Sequence, residues 1–173
     1  MATLTSILGT DTVSSTRGVI NTNFQNLNAD TQYGYKSSTS SIFSSLLTAD
    51  TTLSFQVGAN EAWDFKAIIV PSVNSAVDGK YSFSGPTGTA IRWSHTFDAG
   101  LYASGSILGG FMGLGSVYNA GGVGQGSHDM YLGTVVSGAT AGSVITLWAQ
   151  VTHTPSSALS VLQGSHIIAR RIN

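Results

Sequence analysis

Hydrophobic and polar positions change period along this chain. In the amino-terminal stretch Ile20, Phe24 and Leu27 recur at spacings of four and three, the period of one helical face, and Ser14-Ser15 stands before them as a cap. This predicts a helix over about 15–31. From residue 51 the period becomes two. Leu53, Phe55 and Val57 alternate with polar neighbours, Gly58-Ala59-Asn60 reads as a turn, and Trp63, Phe65 and Ala67 alternate with Ala62, Asp64 and Lys66, together a hairpin signal. Asp78-Gly79 punctuates before Tyr81 and Phe83; Gly85-Pro86 and Thr87-Gly88 turn the chain ahead of Ile91 and Trp93. Further strands are expected at Tyr131–Val136, Val144–Thr152, Leu159–Leu162 and His166–Arg171, the last two joined by Gln163-Gly164-Ser165 as a closing hairpin. About eight strands at roughly ten-residue spacing predict a mainly β fold, a jelly-roll-like antiparallel β-sandwich with a short N-terminal helix or extended arm.

The texture divides the chain into three: an N-terminal helical attachment or oligomerisation arm (1–35), a Ser/Thr-rich linker (36–50) with apolar footholds at Ile42-Phe43 and Leu46-Leu47, and a jelly-roll-like β-sandwich (51–173). The helix carries Asn21, Asn26 and Asn28 on its other face, poor helix formers in a piece of marginal length, so something outside it must hold it. The Ile20/Phe24/Leu27 seam either meets its copies about a symmetry axis, docks on a larger partner, or packs on its own domain. A second apolar run is rich in glycine: nine of the 22 residues from Gly105 to Gly126 are Gly, interleaved with Phe111, Met112 and Leu114. A subunit contact through those three residues, a strand pair with glycine bulges, and membrane insertion are the readings open to it; the lack of a basic rim counts against the last.

Composition narrows the function. The 173 residues hold 42% hydrophobic and 9% charged residues, against roughly 25% charged in ordinary globular chains, and Ser, Thr and Gly make up 65 positions. A net charge of −1 leaves no basic field for nucleic acid. Cysteine is absent, so no disulfide framework or thiolate metal cluster is available. The start lacks the basic, apolar pattern of a secretory signal, and no apolar run approaches the length of a membrane span. Between Ala99 and Ala169 the one formal charge is Asp129, which suggests surface covered by neighbours or a solvated Ser/Thr/Gly coat.

The pool for catalysis is thin. Glu61 is the single glutamate, and no nucleophile elbow, zinc-protease helix or phosphate loop occurs. His95 with Asp98, and His128 with Asp129, are the metal-ligand pairings to consider, though adjacent strand residues point to opposite faces. Asp64 and Asp98 are the least implausible carboxylates for glycoside cleavage, while Trp63 and Trp93 share the alternation of the core set and are expected inside it. The reading is of a non-enzyme with no catalytic, cofactor or metal residues.

The phrase Ser14-Ser15-Thr16-Arg17-Gly18-Val19-Ile20-Asn21-Thr22-Asn23-Phe24-Gln25-Asn26-Leu27-Asn28 resembles the opening helix of small tailed-bacteriophage virion proteins. Val57–Phe65, Phe83–Gly88 and Gly164–Arg171 are similar to phrases in phage fibre-like and head-associated proteins. The resemblance touches about a third of the chain and brings no catalytic residues. It implies a homotrimeric capsid decoration or head-fibre subunit, held to the phage capsid or other virion proteins by its first 35 residues, in a virion assembled in the host cytoplasm. The alternative it leaves is a tail-associated receptor-binding module whose further partner is a host-surface glycan; neither nucleic acid nor membrane is a partner.

Overall fold

The computed structural model describes residues 5, 16–23, 30–72, 77–98, 112–120 and 128–173. Residues 16–23 are helical, and thirteen strands follow among the described residues: β1 (Thr31–Tyr35), β2 (Ser40–Ile42), β3 (Thr48–Val57), β4 (Ala62–Ile69), β5 (Pro71–Ser72), β6 (Gly79–Ser84), β7 (Ala90–Asp98), β8 (Met112–Gly113), β9 (Tyr118–Ala120), β10 (His128–Val136), β11 (Gly142–Gln150), β12 (Leu159–Val161) and β13 (His166–Arg171). One sheet has the order β1-β13-β4-β10-β7-β8 and the facing one β3-β11-β6-β9, with all pairs antiparallel. The pairing is nested: β1 with β13, β3 with β11, β4 with β10, β6 with β9. A long hairpin rolled into two sheets gives this order, which is the jelly roll that the spacing of strands predicted. The β7 strand enters between β6 and β9 and widens the first sheet.

The alternation read from sequence is the alternation of burial. Trp63, Phe65, Ala67 and Ile69 of β4, Ile91 and Trp93 of β7, and Tyr131 and Val135 of β10 are buried, facing Phe55, Tyr81, Phe83, Val144 and Trp148 of the other sheet. Phe83 is the hub: its ring meets Phe65 at 4.9 Å, Trp93 at 5.3 Å and Tyr131 at 5.9 Å, all edge-on, the arrangement that ring quadrupoles favour.

Both open sides of the sandwich are closed. On one, β1 runs so near β3 that a Cβ on Gly34 would lie 2.7 Å from the Thr52 carbonyl oxygen, so only glycine fits. There the Gln32 side chain acts as a strand would: its Nε2 donates to the Gln56 carbonyl and its Oε1 accepts from the Gln56 N–H, each at 2.7 Å. On the other side the β8–β9 turn joins the sheets directly, with Ser82 Oγ donating to the Ser116 carbonyl and the Trp93 indole to that of Gly113.

Four expectations are corrected. Leu53–Val57 and Ala62–Ala67 do not form a hairpin; the turn between them carries the chain from one sheet to the other, and β3 pairs with β11 while β4 pairs with β13 and β10. Leu159–Leu162 and His166–Arg171 do not pair either. The β2-β12-β5 sheet repeats the order β1-β13-β4, so each of these strands continues its predecessor past a bend, and partners are inherited along the sheet. The helix does not reach residue 31, because Thr31 begins β1 in register with Arg170. Strand structure therefore starts inside the segment read as arm, and the segment read as linker supplies β2, with Ile42 packed against the core.

Candidate functional site

The arm leaves the β-domain at Asp30, and the residues that fix this point come from both termini of the domain. Arg171, the last residue of β13, donates its backbone N–H to the Asp30 carbonyl at 2.8 Å. Its guanidinium forks, with Nη2 2.6 Å from Asp30 Oδ1 and Nη1 2.8 Å from Glu61 Oε1. Glu61 Oε2 accepts from the Gly58 N–H at 2.6 Å and the Trp63 indole at 2.9 Å. Ser137 then ties the β3–β4 and β10–β11 turns together, its Oγ accepting from the Glu61 N–H and donating to the Gly58 carbonyl. One arginine thus holds the arm's exit against two sheet-crossing turns. Burial raises the Glu61 carboxyl, but bonds from Gly58, Trp63 and Arg171 outweigh it and leave it below its ordinary range. Arg171 is pushed up, first by its bond to Glu61.

Before that exit, none of the eight helical residues 16–23 is buried. Asn23 and Thr5 bond reciprocally, Thr5 N–H to Asn23 Oδ1 at 2.9 Å and Asn23 Nδ2 to the Thr5 carbonyl at 3.0 Å. Of the expected seam, Ile20 is 38% exposed, and Phe24 and Leu27 lie outside the described residues. Of the expected subunit contact, Phe111 lies outside them as well. Met112 sits on β8 opposite Trp93 and packs on the domain's own core, so its apolar surface is used internally; Leu114 stands exposed in the β8–β9 turn.

The opposite end holds two buried polar pairs, neither paired in that way by the sequence reading. His95 Nε2 lies 2.9 Å from Asp129 Oδ1, a pairing that spacing did not suggest; the side chain of Asp98 lies outside the described residues, and His128 is exposed where Asp129 is buried. Tyr118 stacks on His95 with ring centres 4.0 Å apart, and Tyr131 and Tyr81 complete the cluster. Burial, then the charge of Asp129, pushes the Tyr81 and Tyr131 phenols well above their ordinary range, so at neutral pH they stay protonated and are not nucleophiles. With His95 and Asp129 both buried, the pair is sealed from substrate. Lys36 Nζ reaches Asp50 Oδ2 at 2.5 Å, and Asp50 Oδ1 accepts from the Thr52 hydroxyl at 2.6 Å. The site exists because β3 slips its register at Thr51–Leu53: Ser54 faces Ile145 but Asp50 faces Thr146. Burial raises Asp50, yet the Lys36 and Thr52 bonds and the Lys36 charge bring it below the carboxylate range.

The remaining candidates do not converge. Asp64 lies exposed on the outer face of the six-stranded sheet and Glu61 in the Arg171 clamp. Trp63, Trp93 and Trp148 are buried, and Tyr102 is outside the described residues. Among the described residues no three His, Cys, Asp or Glu groups come together as metal ligands, and no helix is long and apolar enough to cross a membrane.

No family model and no curated protein matches the chain. Among solved structures, "Structure of infectious bursal disease virus Gx strain" aligns with 11% identity and a TM-score of 0.21, over 82% of this chain and 39% of that one. The chain spans well under half the length of that protein, and so shallow an overlap transfers neither fold detail nor function.

Proposed function

We propose that the protein is a non-enzymatic virion subunit, a trimeric capsid decoration or head-fibre component of a tailed bacteriophage, attached through its N-terminal arm. The observation that carries this reading is the Arg171 fork onto Asp30 and Glu61, which sets a fixed point at Asp30, after a helix over 16–23 of which no residue is buried. A short helix without a buried face is marginal in water, so it gains order by seating Ile20 and its seam on a partner. The resemblance of residues 14–28 to phage virion helices agrees with that partner being the particle. Three copies convert weak arm contacts into avidity, and assembly takes place in the host cytoplasm.

The test is the native mass of the full chain, with a form lacking residues 1–29 beside it, and co-sedimentation of both with particles. Three times 17.9 kDa and particle binding by the full chain alone are expected. A truncated form that still sediments with particles overturns the arm as the anchor. The second reading, a tail-associated receptor-binding module for a glycan, is favoured by Tyr33 and Tyr35, 70% and 54% exposed on one face of β1, a platform of the kind on which sugar rings stack. Loss of host adsorption on substituting both tyrosines, with particle stability intact, selects that reading.

A further inference from the structure

The polar cluster around Asp129 holds more hydrogen-bonding atoms than the protein satisfies. Asp129 is fully buried, and its Oδ1 meets His95 Nε2 at 2.9 Å. Its Oδ2 and the hydroxyls of Tyr81 and Tyr131 are enclosed as well, and among the described residues none of these three atoms has a hydrogen-bond partner. The three are neighbours. Asp129 and Tyr131 are successive inward positions of β10, and Tyr81 of the facing sheet packs on Tyr131 with ring centres 5.6 Å apart. The strands β6 and β10 both run towards the end where Gly88 and Gly138 touch, so Gly79 and Asp129 stand one step beyond the Tyr81–Tyr131 contact, at the other end. A Cβ on Gly79 would lie 3.0 Å from Tyr81 Oη, so glycine lets that phenol reach past the ring layer to the level of Asp129. After burial, the charge of Asp129 is the next cause that raises both phenols, and Tyr81 in turn raises Tyr131, as befits hydroxyls gathered at one carboxyl. A buried polar atom without a bond carries its full desolvation cost, and native interiors seldom leave three of them together.

We infer that the sandwich binds one enclosed water molecule here, which donates to Asp129 Oδ2 and accepts from the Tyr81 and Tyr131 hydroxyls. Three polar partners are the usual complement of a buried water. The sense of the bonds also matches. A carboxylate only accepts, and both phenols stay protonated and can donate, so the occupant has to donate once and accept twice. A cation suits the place less well: it takes six or more oxygens, and one free carboxylate oxygen with two protonated phenols supplies too few among the described residues. The water gives the buried carboxyl a bond on its second oxygen and joins β6 of one sheet to β10 of the other. It does at this end what the Ser137 hydroxyl does at the arm's end, where one oxygen ties two turns together.

The test removes the hydroxyls one at a time in the full chain, since each Tyr→Phe change deletes one oxygen and keeps the ring. Hydroxyls without a partner would make Tyr81→Phe and Tyr131→Phe neutral or stabilising. Bonded to the water, each change is expected to lower the folding equilibrium constant roughly three- to tenfold in urea unfolding at pH 7. Because both act through one molecule, the double variant should lose less than the product of the two single losses. A crystal structure of the wild type reads the site directly, with density expected within hydrogen-bond distance of all three oxygens. Single variants as stable as the wild type overturn the inference. So does a crystal structure with no density between the three oxygens, with the phenols bonded straight to Asp129, or with the many-oxygen coordination of a metal ion in that place.

Discussion

At one end of the sandwich three short turns, 58–61, 85–89 and 137–141, lean on one another and Arg171 holds the first of them; at the other, the Lys36–Asp50 ion pair and the His95–Asp129 hydrogen bond are buried, the latter among tyrosine rings, and the strands bend away into β2-β12-β5. The first end is held by backbone bonds such as Asn60 N–H to the Gly138 carbonyl, and its charged groups keep some contact with water. The second keeps Lys36, Asp50, His95 and Asp129 out of bulk solvent. The two ends therefore divide the labour. The desolvated Lys36–Asp50 pair makes the second end costly to alter, since losing one partner strands a buried charge, while the partly solvated clamp at the first end contributes less to stability and holds Asp30 in place.

The largest effect that breaks this comparison comes from Lys36. Replacing Lys36 by Ala leaves Asp50 charged and enclosed with the Thr52 hydroxyl as its remaining side-chain donor, and should cost about 3–5 kcal/mol in urea unfolding. Lys36→Met combined with Asp50→Leu should recover most of that, because an apolar pair of similar volume needs no compensation. A double variant as unstable as the single one would show that Asp50 acts through its bonds to Thr52 and not through the pair.

At the closed end the next effect is steric. A Cβ on Gly138 would sit 2.9 Å from the Gly88 carbonyl oxygen, which belongs to a turn whose Gly88 has φ 82°, so neither backbone can yield cheaply. Gly138→Ala is expected to destabilise by about 1–3 kcal/mol through overpacking, and a thermal melt reads it directly. An unchanged melting temperature would mean that the turns do not bear on one another as described. Arg171→Met is smaller, about 1–2 kcal/mol, since the pairs it breaks are partly solvated. Its sharper signature is local: limited proteolysis should cut the chain just before Asp30 faster while the sandwich stays intact. Faster cutting throughout the domain would make Arg171 a global and not a local support.

Much of this contrast was open to a reader of the sequence, and the reasons for the rest are physical. Alternation marked the strands because each buries one face, so Trp63, Phe65, Ile91, Trp93 and Tyr131 fell on the inward side as their parity required. Parity says which face, not which sheet. The turn at Gly58–Asn60 looks alike whether it closes a hairpin or crosses the sandwich, and only the pairing of β3 with β11 decides. His95 and Asp129 are 34 positions apart and meet through the β7–β10 register. A trace was present, since each shares the parity of its strand's buried residues, His95 with Trp93 and Asp129 with Tyr131 and Val135. Lys36 and Asp50 had no such trace. They flank a Ser/Thr-rich segment without period, and the three-residue slip at Thr51–Leu53 that turns Asp50 inward depends on β11.

The smallest effect separates the ends by pH. Asp50 and Glu61 are both held below the ordinary carboxylate range in the folded protein, so the unfolded chain takes up their protons first as the pH falls. Their stabilisation is complete above an unfolded value of about 4 and is lost as the pH drops through the lower folded values. Arg171 is raised and stays protonated across that window, adding no slope of its own. Glu61→Gln should cost about 1 kcal/mol at pH 7, because charge-assisted bonds from Gly58, Trp63 and Arg171 become neutral ones. As the pH falls through the lowered folded value the difference should shrink towards zero, since the wild type then loses the same charge. Urea unfolding at pH 7, 5, 4 and 3 measures it. Two curves that fall in parallel would place the acid sensitivity wholly with Asp50 at the opposite end, and the clamp on the arm would then hold through Asp30 and the backbone of β13.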